Sequence, residues 1–241
     1  MEISPWEYDW TAERVTRFWD LYSRVPQFSS RYFSRAVGHS IARKLSRYLS
    51  LDSVVLDFGA GKGDLARCLL ECGYKVIAVD SSKKSVQALE QSIGAHPSLM
   101  QTGVIVNGLP LPSASLDAVL FVEVIEHLHP ADLEPLLREF MRVLRPGGIL
   151  FVTTPNGENL EGAKQICPNC ACIFHPVQHL RSFTPSSLRI ELEQAAFHVE
   201  RCRSTYFSHL HGLRVYTDRL RRVLGPDPLP NLFAVARKAR D

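Results

Sequence analysis

Between residues 53 and 153, short apolar runs alternate with stretches in which leucines recur at helical spacing. Ser53–Phe58 (SVVLDF) is an apolar run that closes on Asp57 and opens onto Gly59, Gly61 and Gly63, the pattern of a buried strand feeding a tight turn. Asp64–Cys72 sets Leu65, Leu69 and Leu70 on one helical face and stops at Gly73. Lys75–Asp80 (KVIAVD) predicts a second strand, and Ser81 or Ser82 caps a helix to about Ile93, with Gly94 and Pro97 beyond it. A third strand, less clearly patterned, falls near Gly103–Val106. Leu116–Val124 (LDAVLFVEV) has the continuous apolar content of a strand buried on both faces. Ala131–Leu144 reads as a helix whose end is marked by Pro146-Gly147-Gly148, and Ile149–Thr153 as the fifth strand. Further on, Thr184–Ala195 predicts a capped helix, with Phe197–Tyr206 and Leu232–Ala236 as strands six and seven. This alternation implies right-handed crossovers and a mostly parallel sheet. Residues 1–50 form an aromatic-rich helical preface (Trp6, Trp10, Phe18, Trp19, Tyr22, Phe28, Tyr32, Phe33), expected to pack on the sheet or lid its open end.

Composition adds limits. The chain has 241 residues, 45% hydrophobic and 22% charged, enough for one large globular domain with a sizeable core. No stretch approaches the ~18 consecutive apolar residues of a membrane span. The opening MEISPWEYDW is acidic and aromatic rather than basic then apolar, which argues against a secretory signal and for a cytoplasmic chain. Net charge is +3, but residues 1–50 carry +3, 51–196 carry −5 and 197–241 carry +5. Arg214, Arg219, Arg221 and Arg222 in the basic end either attract an anionic acceptor, nucleic acid or membrane surface, or simply form a solvated helix face. The six cysteines show no disulfide-framework spacing. Cys167, Cys170 and Cys172 cluster, which in a reducing compartment points to metal or thiol chemistry.

In a parallel sheet, ligands bind beyond the carboxyl ends of the strands, where the strand order reverses. The glycines after Asp57 let a backbone approach a ligand with no Cβ in the way. Asp80, at the end of the second strand, is placed to accept hydrogen bonds from ribose hydroxyls. A dinucleotide fingerprint would need a glycine at position 64, which is aspartate here. The spacing is instead D-x-G-x-G-x-G, with an acid at the mouth of the loop that would repel a pyrophosphate and suits a cationic ligand.

Taken in order, VVLDFGAGKGDLA, VIAVD, LPLPSASLDAVLFVEVIEHL and VLRPGGILFVTTPN resemble the class I S-adenosylmethionine-dependent methyltransferases over residues 53–200. The resemblance implies a Rossmann-like, doubly wound, seven-stranded sheet in the order 3-2-1-4-5-7-6, with strand seven antiparallel. It implies that Asp57, Gly59, Ala60 and Gly61 surround the methionine part of the cofactor, that Asp80 holds the ribose, that Ser81 and Asn107 lie beside the adenine, and that Glu123 also belongs to the cofactor site. A methyltransferase domain would then occupy residues 51–241, behind a helical lid at 1–50, with an insert at 156–183 and a C-terminal lid segment at 207–231.

On the acceptor side, Glu123, Glu126 and His127 share one face if a helix begins near Glu123. E-x-x-E-H resembles both ubiquinone-pathway O-methyltransferases and small-RNA 3′-terminal ribose methyltransferases. In the latter the resemblance implies a divalent metal on Glu123, Glu126, His127 and a later histidine, with His179 in matching position. Catalysis is expected from Glu123, Glu126 and His127, as base, metal ligands or structural supports. Separately, Cys167, Cys170, His175 and His179 follow C-x2-C-x4-H-x3-H, the ligand types and spacing of tetrahedral zinc, with Cys172 as a substitute ligand. The alternative is a reduced loop with incidental thiols. Zinc and an acceptor-side metal would compete for His179. The expected function is methyl transfer from S-adenosylmethionine to a small-molecule or lipid- or sugar-type acceptor, chiefly at oxygen, ahead of a nucleic acid. The alternatives are metal-dependent ribose methylation of RNA ends and a non-catalytic S-adenosylmethionine-binding protein.

Overall fold

The computed structural model of the chain describes residues 4–106, 108–207 and 229–240. The elements run β1 (Trp6–Glu7), α1 (Ala12–Arg24), α2 (Pro26–Ser29), α3 (Phe33–Leu45), β2 (Val54–Phe58), α4 (Asp64–Glu71), β3 (Lys75–Asp80), α5 (Lys83–Ile93) and β4 (Leu99–Val104). They continue with β5 (Leu116–Val122), α6 (Pro130–Val143), β6 (Leu144–Pro155), α7 (Leu160–Ala163), β7 (Gln165–Ile166), β8 (Cys172–Phe174), α8 (Pro185–Gln194), β9 (His198–Thr205) and β10 (Asn231–Arg237).

Seven strands form one sheet in the order β4-β3-β2-β5-β6-β10-β9. Pairing is parallel from β4 to β6, and β10 runs antiparallel to both β6 and β9. This is the doubly wound order expected, with its antiparallel strand inserted next to the edge. The two-residue period of the strands splits the core into two layers. Leu56, Val119 and Phe121 face Leu133, Leu137 and Phe140 of α6 and Leu188 and Leu192 of α8. Val55, Ala118 and Leu120 face Val37, Ile41 and Leu45 of α3, Leu65 and Leu69 of α4, and Leu89 of α5. A covered sheet leaves its strand ends open, and the carboxyl ends of β2, β3 and β5 form one edge.

Four expectations are corrected. The third strand lies at Leu99–Val104, earlier than expected, because an edge strand with little burial carries no clear apolar alternation. The fifth is longer: β6 takes in Pro146-Gly147-Gly148, where a register shift opposite Leu116 and Ala118 absorbs the irregular backbone. Strand four stops at Val122, and no α-helix starts at Glu123. Its φ is +51°, and a short 3-10 turn follows at Ile125–His127. Finally, the first 50 residues are not all lid. α3 buries Val37, Ile41, Ala42 and Leu45 in the core layer beside α4, while α1 lies over the strand ends and Phe28 of α2 stacks on its Tyr22. Asn107, residues 208–228 of the proposed C-terminal lid, and with them Arg214, Arg219, Arg221 and Arg222, lie outside the described residues. Among the described residues, no helix is long and apolar enough to cross a membrane.

A second, three-stranded sheet joins the chain start to the insert. β1 pairs parallel with β8, which pairs antiparallel with β7.

Candidate active site

A cavity of about 420 Å³ opens at the carboxyl ends of β2, β3 and β5, within the usual size of small-ligand sites. Its floor is the turn after β2. The N–H groups of Gly59 and Ala60 donate to Val79 O at 2.9 and 3.0 Å, folding the turn over the end of β3. Gly59 has φ +77°, and a Cβ there would come 2.5 Å from Cγ2 of Val124, so only glycine fits. Asp80 locks the same turn: Gly61 N–H donates to its Oδ2 at 2.9 Å and Ser82 N–H to its Oδ1 at 2.8 Å. Burial raises the Asp80 pKa, and those two amides work against the rise. Gly59, Ala60, Gly61, Asp80 and Ser81 all line the cavity.

Asp57 does not. It is 2% exposed, sits beneath the turn and accepts the Ala66 amide, with one oxygen left without a partner. Burial, with the Asp80 charge nearby, pushes it up to about 7. Of the six expected contacts with the cofactor apart from Glu123 and the undescribed Asn107, Asp57 is thus the one the structure sets behind the wall. It supports the loop.

The opposite wall belongs to the first 34 residues. Val15, Trp19 and Tyr22 of α1 and Tyr32 and Phe33 before and at the start of α3 face the turn across the cavity. Two ties hold α1 there. Asp20 accepts the Ser82 hydroxyl at the cap of α5, and Trp19 Nε1 donates to Oε1 of Gln178 at 2.9 Å. Gln178 in turn donates from Nε2 to His127 O at 2.8 Å.

At the third side, Glu123, Glu126, His127 and His179 line the same cavity. They converge through the left-handed Glu123 and the 3-10 turn rather than through an α-helical face. The turn also brings in the insert: Leu180 and Arg181 N–H both donate to Glu126 O, at 2.8 and 3.1 Å, which sets His179 beside His127 with ring centroids 4.8 Å apart. Glu123 accepts the Thr153 hydroxyl at 2.7 Å, yet burial still raises it to about 7. Glu126 is 1% exposed, and neither carboxylate oxygen has a hydrogen-bond partner. Burial first and the Glu123 charge second drive its pKa well above the ordinary carboxylate range. His127 Nδ1 meets the carbonyl of Gln178 at 3.2 Å, so that nitrogen carries the proton and Nε2 keeps its lone pair. Burial, then His179, lowers its pKa to about 3, leaving the ring neutral.

Glu158 carries no motif that would single it out in the sequence. Its Oε2 lies 2.5 Å from His179 Nδ1, and its Oε1 lies 3.4 Å from His175 Nε2. His175, 4% exposed, accepts the His179 N–H at its Nδ1. The four expected zinc ligands therefore divide. Cys167 and Cys170 close with Cys172, whereas His175 and His179 close with Glu158, and His179 also stands with Glu126 and His127. Each set of ligand atoms lies within 4.8 Å of one another. The helical turn that would have carried both histidines to the thiols is absent, because residues 175–183 run as irregular backbone pinned to Glu126.

Residues 56–152 match the family described as a methyltransferase domain. Over those residues the sheet order and the glycine turn after β2 are the ones expected of the class I S-adenosylmethionine-dependent methyltransferases. A probable S-adenosylmethionine-dependent methyltransferase of Mycolicibacterium smegmatis is 33% identical over 146 residues, 61% of this chain and 52% of that protein. A ubiquinone biosynthesis O-methyltransferase of Caulobacter vibrioides is 37% identical over 109 residues, 42% of this chain and 40% of its own length. The chain thus spans about half, or less, of these curated relatives. Among solved structures, 1,6-didemethyltoxoflavin-N1-methyltransferase of Burkholderia thailandensis, with 1,6-didemethyltoxoflavin and S-adenosylhomocysteine bound, is similar in fold. Its TM-score is 0.65 at 21% identity, covering 98% of this chain and 95% of that one.

Proposed function

We propose that the protein transfers a methyl group from S-adenosylmethionine to a hydroxyl oxygen of a small-molecule or lipid- or sugar-type acceptor. One observation carries the reading: a single cavity is walled by the glycine turn with Asp80, by aromatic side chains, and by a carboxylate–histidine cluster. The residues fit the cofactor. Gly59 and Gly61 bring no Cβ towards the methionine part, Asp80 offers its carboxylate to ribose hydroxyls, and Ser81 stands beyond it for the adenine. When bound, S-adenosylmethionine supplies a methyl already activated on a sulfonium.

The protein's own share is to seat, dry and deprotonate the acceptor. Trp19, Tyr22 and Tyr32 offer flat apolar surface for it. With Nδ1 held by Glu158, His179 has Nε2 left to take the hydroxyl proton, and Glu158 steadies the resulting imidazolium. Glu123 and Glu126, both raised by burial, keep the acceptor side from accumulating negative charge.

A second reading rests on Glu126. Both its oxygens are buried and bare beside His127 and His179, an arrangement a divalent cation would complete, as in ribose methylation at RNA ends. One experiment separates the two. S-adenosylhomocysteine formation is followed across quinone precursors, lipid-linked sugars and RNA ends, with and without magnesium, manganese or cobalt. The base reading expects metal-independent turnover of a hydroxylated small molecule. It also expects His179→Ala to lower the rate on the order of a hundredfold or more while cofactor affinity holds. Turnover only of RNA ends and only with metal overturns it.

A further inference from the structure

The geometry points to a zinc site made by Cys167, Cys170 and Cys172 that fastens the start of the chain over the cavity. The three sulfurs lie within 4.8 Å of one another, and all three cysteines are free. Thiolates bound to one tetrahedral zinc at about 2.3 Å stand roughly 3.8 Å apart, so small side-chain adjustments close the set. The turn is already shaped for this. Ala171 N–H donates to Cys167 O at 2.9 Å, Cys167 N–H to Cys172 O at 2.8 Å, and Ala171 takes the left-handed φ of +57°. Amides of Asn169 and Cys170 are directed at the Cys167 sulfur. On binding, each thiol releases its proton to solvent.

The reason for a metal lies in the sheet around it. β1 and β7 have two residues each and β8 has three, and both residues of β1 and of β7 are exposed. So small a sheet buries too little to hold itself, and such units are usually stapled by a metal or a disulfide. β1 acts as a strap, and it hangs on the thiol turn itself. Trp6 Nε1 donates to Cys170 O at 2.9 Å and Trp6 N–H to Ala171 O at 3.2 Å. Fixing the turn fixes β1, and β1 leads directly into α1.

Protein purified without a histidine tag and reconstituted with zinc should hold about one ion per chain. Cobalt in its place should give thiolate-to-metal charge-transfer absorption. Cys172→Ser and Cys167→Ser should abolish both signals, whereas His175→Ala and His179→Ala should keep them. Cys172 is buried, so the half-buried Cys167 provides the variant whose fold is least at risk. Chelation should speed proteolysis within the first 25 residues and leave the seven-stranded sheet intact. Zinc content near zero after reconstitution overturns the site. So does an ion lost from the histidine variants and kept by Cys172→Ser. Neither result bears on which acceptor is methylated.

Discussion

Asp80 and Asp57 are the two acids that the motif places around the turn, and the structure gives them different work. Asp80 faces the cavity and holds two amides of its rim. Asp80→Ala should weaken S-adenosylmethionine binding about tenfold to a hundredfold by calorimetry, the effect of hydrogen bonds to a charged acceptor worth roughly 1.5–3 kcal/mol. Asp57 is buried behind it and raised to about 7. Its stability effect runs opposite to that of a salt-bridged aspartate. Below about pH 4 both folded and unfolded chains hold the proton, and nothing is lost. As pH rises towards 7 the unfolded chain releases it first, so the folded state loses on the order of 4 kcal/mol, levelling off above the folded pKa. Asp57→Asn should therefore gain on the parent between pH 4 and pH 8 in urea unfolding of the ligand-free protein. An equal gap at both pH values would show that the carboxyl ionises freely in the folded chain. Both acids were legible because the glycine spacing and the strand ends announce them. Which one faces the ligand was not, since burial behind a turn leaves no mark on spacing.

At the scale of elements, the strands, their order and the capped helices were legible, because periodicity and caps are local. Ser82 caps α5 and Thr184 caps α8 where expected. The insert was not, because its contacts are distant and follow no period. Gln178 sits at φ +59° with no exposure and ties Trp19, 159 positions away, to the carbonyl of His127. Glu158 finds His179 by the same kind of long-range closure. Gln178→Ala should strand the Trp19 N–H and free α1 from the acceptor side, costing about 1–3 kcal/mol if the orphaned groups stay buried. Steady-state kinetics should then show a raised KM for the acceptor with cofactor affinity held. A change in cofactor affinity alone would mean that the tie serves the glycine turn instead.

For the whole molecule, the boundary drawn at residue 50 from aromatic content alone does not follow the packing. α3 contributes Val37, Ile41 and Leu45, each 1% exposed or less, to the layer that covers the sheet. A chain starting at residue 51 loses several side chains worth about 1.5–3 kcal/mol apiece, a large share of the ~5–15 kcal/mol that holds a domain together. It should fail to give a cooperative unfolding transition, while one starting at residue 31 should keep it. Aromatic residues marked the segment in the sequence, but only the helical spacing of Val37, Ile41 and Leu45 separates its core part from its cover. That cover has one more property. The chain's three tryptophans are Trp6, Trp10 and Trp19, all of them in the cover. Trp6 lies on the strap, and Trp19 packs edge-on to His127 with centroids 4.9 Å apart. The sheet and its helices contribute no indole emission of their own. Intrinsic fluorescence excited at the indole band is therefore a background-free optical report on this segment, and every ligand that rearranges it writes its binding curve in the same signal.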